Sequence, residues 1–369
     1  MMGKFAELAP GSVATPYLLL DINDMKLLAT QWSTSDEQMA NQFIDGIGDI
    51  RIAKKLAVAI AALHCSDIDP EFNSEARECM IDIFPNLQEE LVKMAKGEAE
   101  VSNRATKLAQ EIGPDACSFL FAAATKSYRD KSIPCHADLH MFNILVESKP
   151  QLDLFSEEND DVFEERGDFC ICDWEMVMKG PLGLDMGRLY SIPVACILAH
   201  SISGNSGVSE GIIEWLDSYW NEYSSAMIKL GKDEDFLCKS YQNAMAWLGW
   251  KLYAMSVHEW FIGFLPECDI GTLKESLGVV GITLMCLGFG GHEEGLEANE
   301  KLSVLISCLM KTIADEVSVI ESNRRERPSL RRKSSILRQT NRRVSDAFVG
   351  ISRDSLAKAA ADIILGDTV

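Results

Sequence analysis

The segment IPCHADLHMFNILV, from Ile133 to Val146, places three chemically capable side chains at fixed offsets before an apolar run. Asp138 follows His136 by two residues, and Asn143 follows Asp138 by five. A carboxylate in such a loop can orient or accept a hydroxyl proton, and an amide oxygen can bind Mg²⁺. The spacing therefore indicates a loop that handles phosphate groups. The alternative is a polar turn that leads into a strand.

A second carboxylate, Asp173, follows the loop at the end of a predicted hairpin. Phosphoryl transfer needs a group that positions the attacking hydroxyl and oxygen ligands for the metal on the nucleotide phosphates. The β-rich runs NILVES and DFCIC predict a hairpin that returns Asp173 to the metal faced by Asn143. The H-x-D-x-x-x-x-N spacing alone arises by chance in a long chain. With the hairpin and the terminal Asp in this order, the phosphotransfer interpretation is favoured over the polar turn.

The elements around these motifs are predicted to be mostly helical. Thr15–Trp32 has the pattern of two short strands joined by a turn, since Asn and Asp suit tight turns. A helix is predicted after Asp49, its cap, because apolar residues recur at helical spacing up to Leu63. Further helices are predicted up to Tyr128, with breaks near Pro85 and at Gly113-Pro114, and from Tyr190 to about Ser322. Most tryptophans of the later helices are expected in the core.

Composition restricts the class of protein. The 369 residues are 47% hydrophobic and carry a net charge of −21, so the body of the protein lacks the surplus of cations that binds nucleic acid. A charged and apolar leader is absent from the N-terminal residues, and no run of 18 apolar residues predicts a membrane span. The 11 cysteines are scattered without a C-x-x-C pair. Reduced thiols and a cytoplasmic location are therefore expected.

Two stretches, HADLHMFNILV and ICDWEMVMKGPLGLDMGRL, together resemble the aminoglycoside phosphotransferase, choline kinase and methylthioribose kinase group of small-molecule kinases. The resemblance covers roughly residues 15–290 and is specific in these central motifs; KLAVAIAALHCSDID resembles the preceding helix. It implies an α+β, protein-kinase-like fold. Residues 1–32 would form a reduced N-lobe β-hairpin, 33–322 a large and mostly helical C-lobe with a catalytic β-hairpin, and 323–369 a disordered basic tail with a short helix.

By that resemblance, the chain would use ATP and Mg²⁺. Asp138 would be the catalytic base, and Asn143 and Asp173 would bind the metal. Glu175 would be a further carboxylate near the metal. The implied activity is phosphorylation of a hydroxyl on a small metabolite.

The resemblance also implies supporting roles. Asp185 would brace the loop by accepting backbone N–H bonds, and His136 would fix the loop rather than do chemistry. His140 would either pack the loop or contact the substrate. The adenine ring would contact the backbone at the end of the N-terminal hairpin, at Thr30, Gln31 and Trp32. The substrate would contact the aromatic stretch of a late helix, at Trp250, Tyr253 and Glu259, which suits a cationic or apolar acceptor.

The chain departs from that group in two places. The stretch AWLGWKLYAMSVHEW lacks the adjacent arginines expected to hold methylthioribose, so a different acceptor is expected. Only about 30 residues precede the helical body, without a Gly-rich loop or a V-A-x-K strand. We therefore expect either a truncated coding sequence or a degenerate kinase. The alternative function is a catalytically silent kinase-fold protein that binds a metabolite or a protein partner.

The C-terminal segment is basic in an otherwise acidic chain. It contains the strings RRKS and RRVS, which predict phosphorylation of Ser334 and Ser345 by a basophilic protein kinase. A solvated basic tail without a partner is an equally good interpretation. Attraction to the acidic surface of the protein itself is a third.

Overall fold

The computed structural model describes residues 16–22, 25–30, 37–68, 81–146, 169–290 and 298–326. These residues are mostly helical, and they include three small antiparallel sheets. The arrangement is of the α+β class, as the sequence predicts.

The first sheet is the N-terminal hairpin. Strands β1 (Pro16–Ile22) and β2 (Met25–Thr30) pair antiparallel, with Leu19 opposite Leu28. The predicted pair of strands is therefore confirmed. Thr30 ends β2, and the other two predicted adenine-contact residues, Gln31 and Trp32, lie outside the described residues.

The other two sheets surround the H-x-D-x-x-x-x-N loop. Their strands are β3 (Glu37–Gln38), β4 (Ile133–Cys135), β5 (Ile144–Val146), β6 (Phe169–Ile171) and β7 (Met178–Gly180). One sheet has the order β3-β5-β6, and the other pairs β4 with β7. In the antiparallel β5–β6 pair, Ile144 lies opposite Ile171. This pair confirms the predicted hairpin strands, and the acidic segment 147–168 between them lies outside the described residues.

Ten α-helices are described. They are α1 (Met39–Ile44), α2 (Ile50–His64), α3 (Phe84–Lys96), α4 (Arg104–Ile112), α5 (Pro114–Tyr128), α6 (Leu184–Ser203), α7 (Ser209–Lys229), α8 (Glu234–His258), α9 (Ile270–Phe289) and α10 (Ala298–Glu326). One-turn 3₁₀ helices lie at Met141–Asn143, Trp174–Met176, Ser206–Val208 and Ile262–Phe264.

Helix boundaries follow the local signals in the sequence. The Asp49 side chain accepts a hydrogen bond from the Arg51 N–H and caps α2, as predicted. Pro85 lies in the first turn of α3, and Gly113 has a φ of 90° between α4 and α5. Both predicted breaks are therefore confirmed.

The predicted start of the tail is wrong by one helical turn. Helix α10 continues through residues 323–326. These four residues therefore belong to the helix and not to the tail. The rest of the tail, with Ser334, Ser345 and the predicted short helix, lies outside the described residues.

Two hydrophobic clusters form the core. One joins α1, α2, α6, α7 and the β5–β6 hairpin, and includes Trp215; the other joins α3, α4, α5 and β4, and includes Trp247 and Trp250. Helix α8 contributes residues to both clusters, so most of its circumference is buried. These tryptophans lie in the core, as expected from the sequence.

Two glycines allow α8 to approach its neighbours closely. A Cβ atom on Gly187 of α6 would lie 2.6 Å from the Ala244 carbonyl oxygen of α8. A Cβ atom on Gly249 of α8 would lie 2.6 Å from the Gly281 carbonyl oxygen of α9. Because neither space admits a side chain, α6, α8 and α9 pack with their backbones nearly in contact.

Helix α9 is long and apolar enough to cross a membrane by those two criteria alone. Of its most apolar 18-residue window, 61% is buried inside the protein. The helix packs against α8 and α6, where a core helix of the same composition would lie.

Candidate functional site

A buried carboxylate gives the loop after β4 its shape. Asp185, in the first turn of α6, accepts a hydrogen bond from the His136 N–H at 2.8 Å and another from the Ala137 N–H at 2.7 Å. Ala137 has a left-handed backbone with a φ of 66°. The contact implied by the resemblance is therefore present, and it turns the chain immediately before Asp138.

Asp185 also holds two helices together. His64, at the end of α2, lies with Nε2 3.2 Å from Asp185 Oδ2 and with Nδ1 2.8 Å from the Tyr223 hydroxyl of α7. Burial opposes ionisation of Asp185. The hydrogen bond and charge interaction with His64, together with His136, outweigh it and lower the pKa of the carboxyl. We call Asp185, His64, Tyr223 and the two loop N–H groups the brace.

Metal-ligand atoms also meet in the brace. One ligand atom each from His64, Cys135 and Asp185 lie within 4.8 Å of one another, and all three residues are buried. Both oxygens of Asp185 accept backbone hydrogen bonds, and both ring nitrogens of His64 lie within hydrogen-bond distance of a partner. These hydrogen bonds account for the cluster without an ion.

His136 anchors the loop to the β5–β6 hairpin. Its Nε2 lies 2.9 Å from the Cys172 carbonyl oxygen, and its Nδ1 faces the Asp138 N–H at 3.4 Å. A neutral imidazole with its proton on Nε2 satisfies both contacts. Burial lowers the pKa of His136, and its ring packs on Trp174 at 4.6 Å. These contacts join the loop to the hairpin; the role that the resemblance implies for His136 stays a prediction.

The hairpin places Asp173 next to a residue that is hydrogen-bonded to Asn143. Asn143 Nδ2 donates to the Asp138 carbonyl oxygen at 3.0 Å, and the Cys172 N–H donates to the Asn143 carbonyl oxygen at 2.9 Å. Asp173 therefore follows directly after a residue bonded to Asn143. It is exposed, has a φ of 62°, and begins the one-turn helix that carries the exposed Glu175.

Asp138 lies among positive groups. Arg188 Nη1 is 2.6 Å from Oδ1, and His140 Nε2 is 3.5 Å from Oδ2. Burial would raise the pKa of Asp138, but His140, Arg188 and Lys251 outweigh it and hold the pKa well below its ordinary value. The Asp138 side chain keeps 27% of its surface exposed, so solvent or a ligand can reach it.

Arg188 and Lys251 are the two residues of this site that the sequence analysis missed. Arg188 follows Asp185 by three residues on α6, so its position on the same face of the helix was a usable signal. Lys251 is the lone charged residue in the stretch AWLGWKLYAM of α8. A single cation in a helix buried on most sides was the other signal. We call Asp138, His140, Asn143, Asp173, Arg188 and Lys251 together the Asp138 site.

Strained backbone collects around this site. The non-glycine residues with positive φ among the described residues are Ala137, Asp173, Glu259 and Phe261. The first two flank the loop and the hairpin. The last two lie in the turn after α8, which presses the Phe261 ring against His140 at 5.0 Å. Such residues cost about 1–3 kcal/mol each and cluster at functional sites.

The structure does not bring the predicted substrate residues to the Asp138 site. Trp250 and Tyr253 lie three positions apart on α8, and both point into the second core cluster, beside Phe84 and Phe121. Neighbouring helix positions differ by about 100°, so Lys251 points elsewhere although it follows Trp250. Glu259 is exposed and pairs with Lys274 at 2.7 Å. Trp250 and Tyr253 are core residues, as was expected for most aromatic residues of the later helices.

Comparison of the chain with protein-family models finds no match, and comparison with curated proteins finds none either. The functional assignment therefore depends on the geometry of the Asp138 site.

Proposed function

We propose that this chain is a protein-kinase-like phosphotransferase that moves the γ-phosphoryl group of Mg·ATP to a hydroxyl of a small metabolite. The observation that supports it best is the hydrogen bond from Cys172 N–H to the Asn143 carbonyl oxygen. It joins the end of the hairpin to the loop, so that Asn143 and Asp173 flank the loop that carries Asp138. This is the order and grouping that the aminoglycoside phosphotransferase-like pattern requires.

The donor set suits Mg²⁺, which prefers oxygen ligands. Asn143 uses its side-chain N–H to hold the loop, so Oδ1 is left for a metal; no described residue donates a hydrogen bond to it. Asp173 and Glu175 add exposed carboxylates close in sequence. When bound, Mg²⁺ would neutralise charge on the nucleotide phosphates.

The environment of Asp138 defines its role. Arg188 and His140 keep the carboxylate ionised, so it is a weak base at neutral pH. A loose phosphoryl-transfer transition state needs little proton abstraction before bond formation. Asp138 therefore orients the acceptor hydroxyl and takes its proton late, while Asn143 keeps the Asp138 backbone in place through its carbonyl oxygen.

One observation favours the alternative, a catalytically silent binding protein. Arg188 lies 2.6 Å from Asp138 Oδ1 and occupies one of the two carboxylate oxygens. An acceptor hydroxyl would then have to use Oδ2, next to His140. If that oxygen is also blocked, the chain binds nucleotide or metabolite without transfer.

The test compares Asp138→Asn and Asp173→Ala with the wild-type chain. Titration calorimetry measures Mg·ATP binding, and a phosphate-release or acceptor-phosphorylation assay measures turnover. We expect Asp138→Asn to lower kcat by roughly 10²–10⁴ with little change in nucleotide affinity, because a positioned base has that effect. Asp173→Ala should abolish Mg²⁺-dependent nucleotide binding. Asp217→Ala, on an exposed position of α7, is the matched control.

The outcomes separate the two functions. Mg·ATP binding that depends on Asp173, with turnover that depends on Asp138, supports the transferase. Binding without turnover supports the silent protein. Unchanged Mg·ATP binding in Asp173→Ala contradicts the assignment of Asp173 as a metal ligand. It then contradicts both the transferase and the silent nucleotide-binding protein.

A further inference from the structure

Two buried cations face one carboxylate in the buried part of the Asp138 site. Arg188 and Lys251 both approach the one carboxylate of Asp138 closely enough to affect its ionisation. For Lys251 the charged neighbours are Arg188, which repels it, and Asp138, which attracts it. Asp138 is already engaged by Arg188 at 2.6 Å, and Lys251 forms no ion pair of its own within the described part of the chain.

Lys251 is held in place by aromatic rings. Its Nζ lies 5.2 Å from the centre of the Trp260 ring and 5.0 Å from that of Phe261. The residue is 5% exposed, and no described residue accepts a hydrogen bond from it. Aromatic faces stabilise a cation modestly and do not replace the hydrogen bonds that a buried ammonium loses with water. The rings therefore position the ammonium beside the Asp138 site and leave its hydrogen bonds for water or a ligand.

Two buried polar atoms around Asp138 are unsatisfied. Arg188 Nε and His140 Nδ1 are both buried and have no hydrogen-bond partner within the described part of the chain. Arg188 is 2% exposed and His140 6%. Buried polar atoms normally have partners, and a group of such atoms around one point indicates a ligand that supplies them. A group rich in acceptor oxygens would accept a hydrogen bond from Arg188 Nε and balance the charge of Lys251.

We propose that Lys251 binds an anionic oxygen group, a carboxylate or a phosphate, beside Asp138. This inference rests on the proposed function, which locates the reaction at Asp138, and it adds the chemical class of the ligand that binds there. It replaces the cationic acceptor suggested by the aromatic stretch, since those rings are core. The anionic group has two possible sources: the acceptor metabolite itself, or the phosphoryl group that is being transferred.

The experiment measures binding by titration calorimetry to the full chain at pH 6.5. The acceptor probes are glycerol 3-phosphate and glycerate, with neutral glycerol and cationic ethanolamine for comparison. A separate arm compares a non-hydrolysable ATP analogue with ADP, both with Mg²⁺. The variants are Lys251→Met and Lys251→Gln, and circular dichroism confirms that each is folded. Lys274→Met is the control, because Lys274 is a surface cation of α9 that pairs with Glu259, the residue directly after α8.

We expect glycerol 3-phosphate or glycerate to bind at least about tenfold more tightly than glycerol and ethanolamine. Both Lys251 variants should lose that preference, and Lys274→Met should keep it. If the variants instead weaken only the triphosphate analogue relative to ADP, the anionic group is the transferred phosphoryl.

Unchanged affinity for every anion in both Lys251 variants overturns the proposal, as does tighter binding of ethanolamine than of the anionic probes. This result is distinct from failure of the proposed function, which appears as turnover that is absent or independent of Asp138. Anion binding should persist in Asp138→Asn, because that variant leaves Lys251 and Arg188 in place.

Discussion

Asp185 and Asp138 are two aspartates with lowered pKa values in neighbouring parts of the fold, but they are ionised for different reasons. Asp185 is fully buried and accepts hydrogen bonds from two backbone N–H groups and His64. Asp138 is partly exposed and faces side chains that keep unsatisfied atoms of their own. The first arrangement is complete without a ligand, and the second is not. This difference distinguishes Asp185, whose hydrogen bonds hold the loop, from Asp138, which we propose meets a ligand.

The largest effect on stability should come from a substitution in the brace. Asp185→Ala leaves two loop N–H groups and His64 without their acceptor in a dry interior. We expect a loss of about 3–5 kcal/mol in the free energy of unfolding, the usual cost of removing one partner from a buried charged pair. Urea denaturation followed by circular dichroism measures it. Asp185→Asn, which keeps one acceptor oxygen, should lose less. A loss below about 1 kcal/mol in Asp185→Ala would contradict the brace.

The second test brings the pKa of Asp138 closer to that of an ordinary carboxyl group. Arg188→Met removes a positive charge 2.6 Å from Asp138, and an opposite charge at that distance lowers a carboxyl pKa by about 1–3 units. The variant therefore raises the pKa of Asp138. The proposed function uses the ionised form, so it predicts that the acidic limb of the pH profile of kcat/KM moves to higher pH by that amount. An acidic limb that stays in place would show that Asp138 does not depend on Arg188.

The third test uses Lys251 to show that the incomplete site costs stability. Burial and Arg188 lower the pKa of Lys251 to about 7, below its value in the unfolded chain. Lys251→Met should therefore stabilise the protein by about 1–3 kcal/mol at neutral pH while it weakens anion binding.

The stability difference between Lys251→Met and the wild type should depend on pH. The folded wild type binds fewer protons than the unfolded chain between the lowered and the ordinary pKa of Lys251, so its stability rises with pH in that window. The advantage of Lys251→Met in thermal unfolding should be full below about pH 7 and should disappear near pH 10.5. A variant less stable than the wild type at pH 6 would contradict an unfavourable burial of this lysine.

The smallest effect should come from the rim of the site. Glu259→Gly relieves a left-handed backbone worth about 1 kcal/mol and loses an exposed ion pair, which solvent screens. The free energy of unfolding should change by less than about 1 kcal/mol, with anion binding unchanged. Phe261→Gly is the comparison, because it relieves the same backbone but removes a ring packed on His140 and Phe142. Loss of anion binding in Glu259→Gly would restore Glu259 as a substrate residue.

Local signals account for what could be predicted from the sequence. The hairpin strands, the cap at Asp49 and the breaks at Pro85 and Gly113 depend on residues within a few positions of each other. The contact of Asp185 with the loop was expected only because the motif as a whole resembles a known family. None of these features requires knowledge of how distant helices pack.

Lys251 and Arg188 could not be placed because their roles depend on packing between distant helices. Gly187 brings α6 against α8, and without that close approach the two cations would not share one carboxylate. The sequence also does not show which residues of α8 face the Asp138 site. A rotation of one residue would exchange Trp250 for Lys251 at the site, and composition cannot fix such a rotation when most of the helix is buried.

The brace has a consequence for the order of folding. It joins His64 to Asp185, 121 positions away, and His64 to Tyr223, 159 positions away. Contacts at such separations form late, because the entropy of closing long loops is lost before the contact repays it. The loop that carries Asp138 can take its left-handed turn only after α2, α6 and α7 have docked. In a refolding experiment, helical ellipticity should therefore return before ligand binding does, and the interval between the two signals is the time that the brace needs to close.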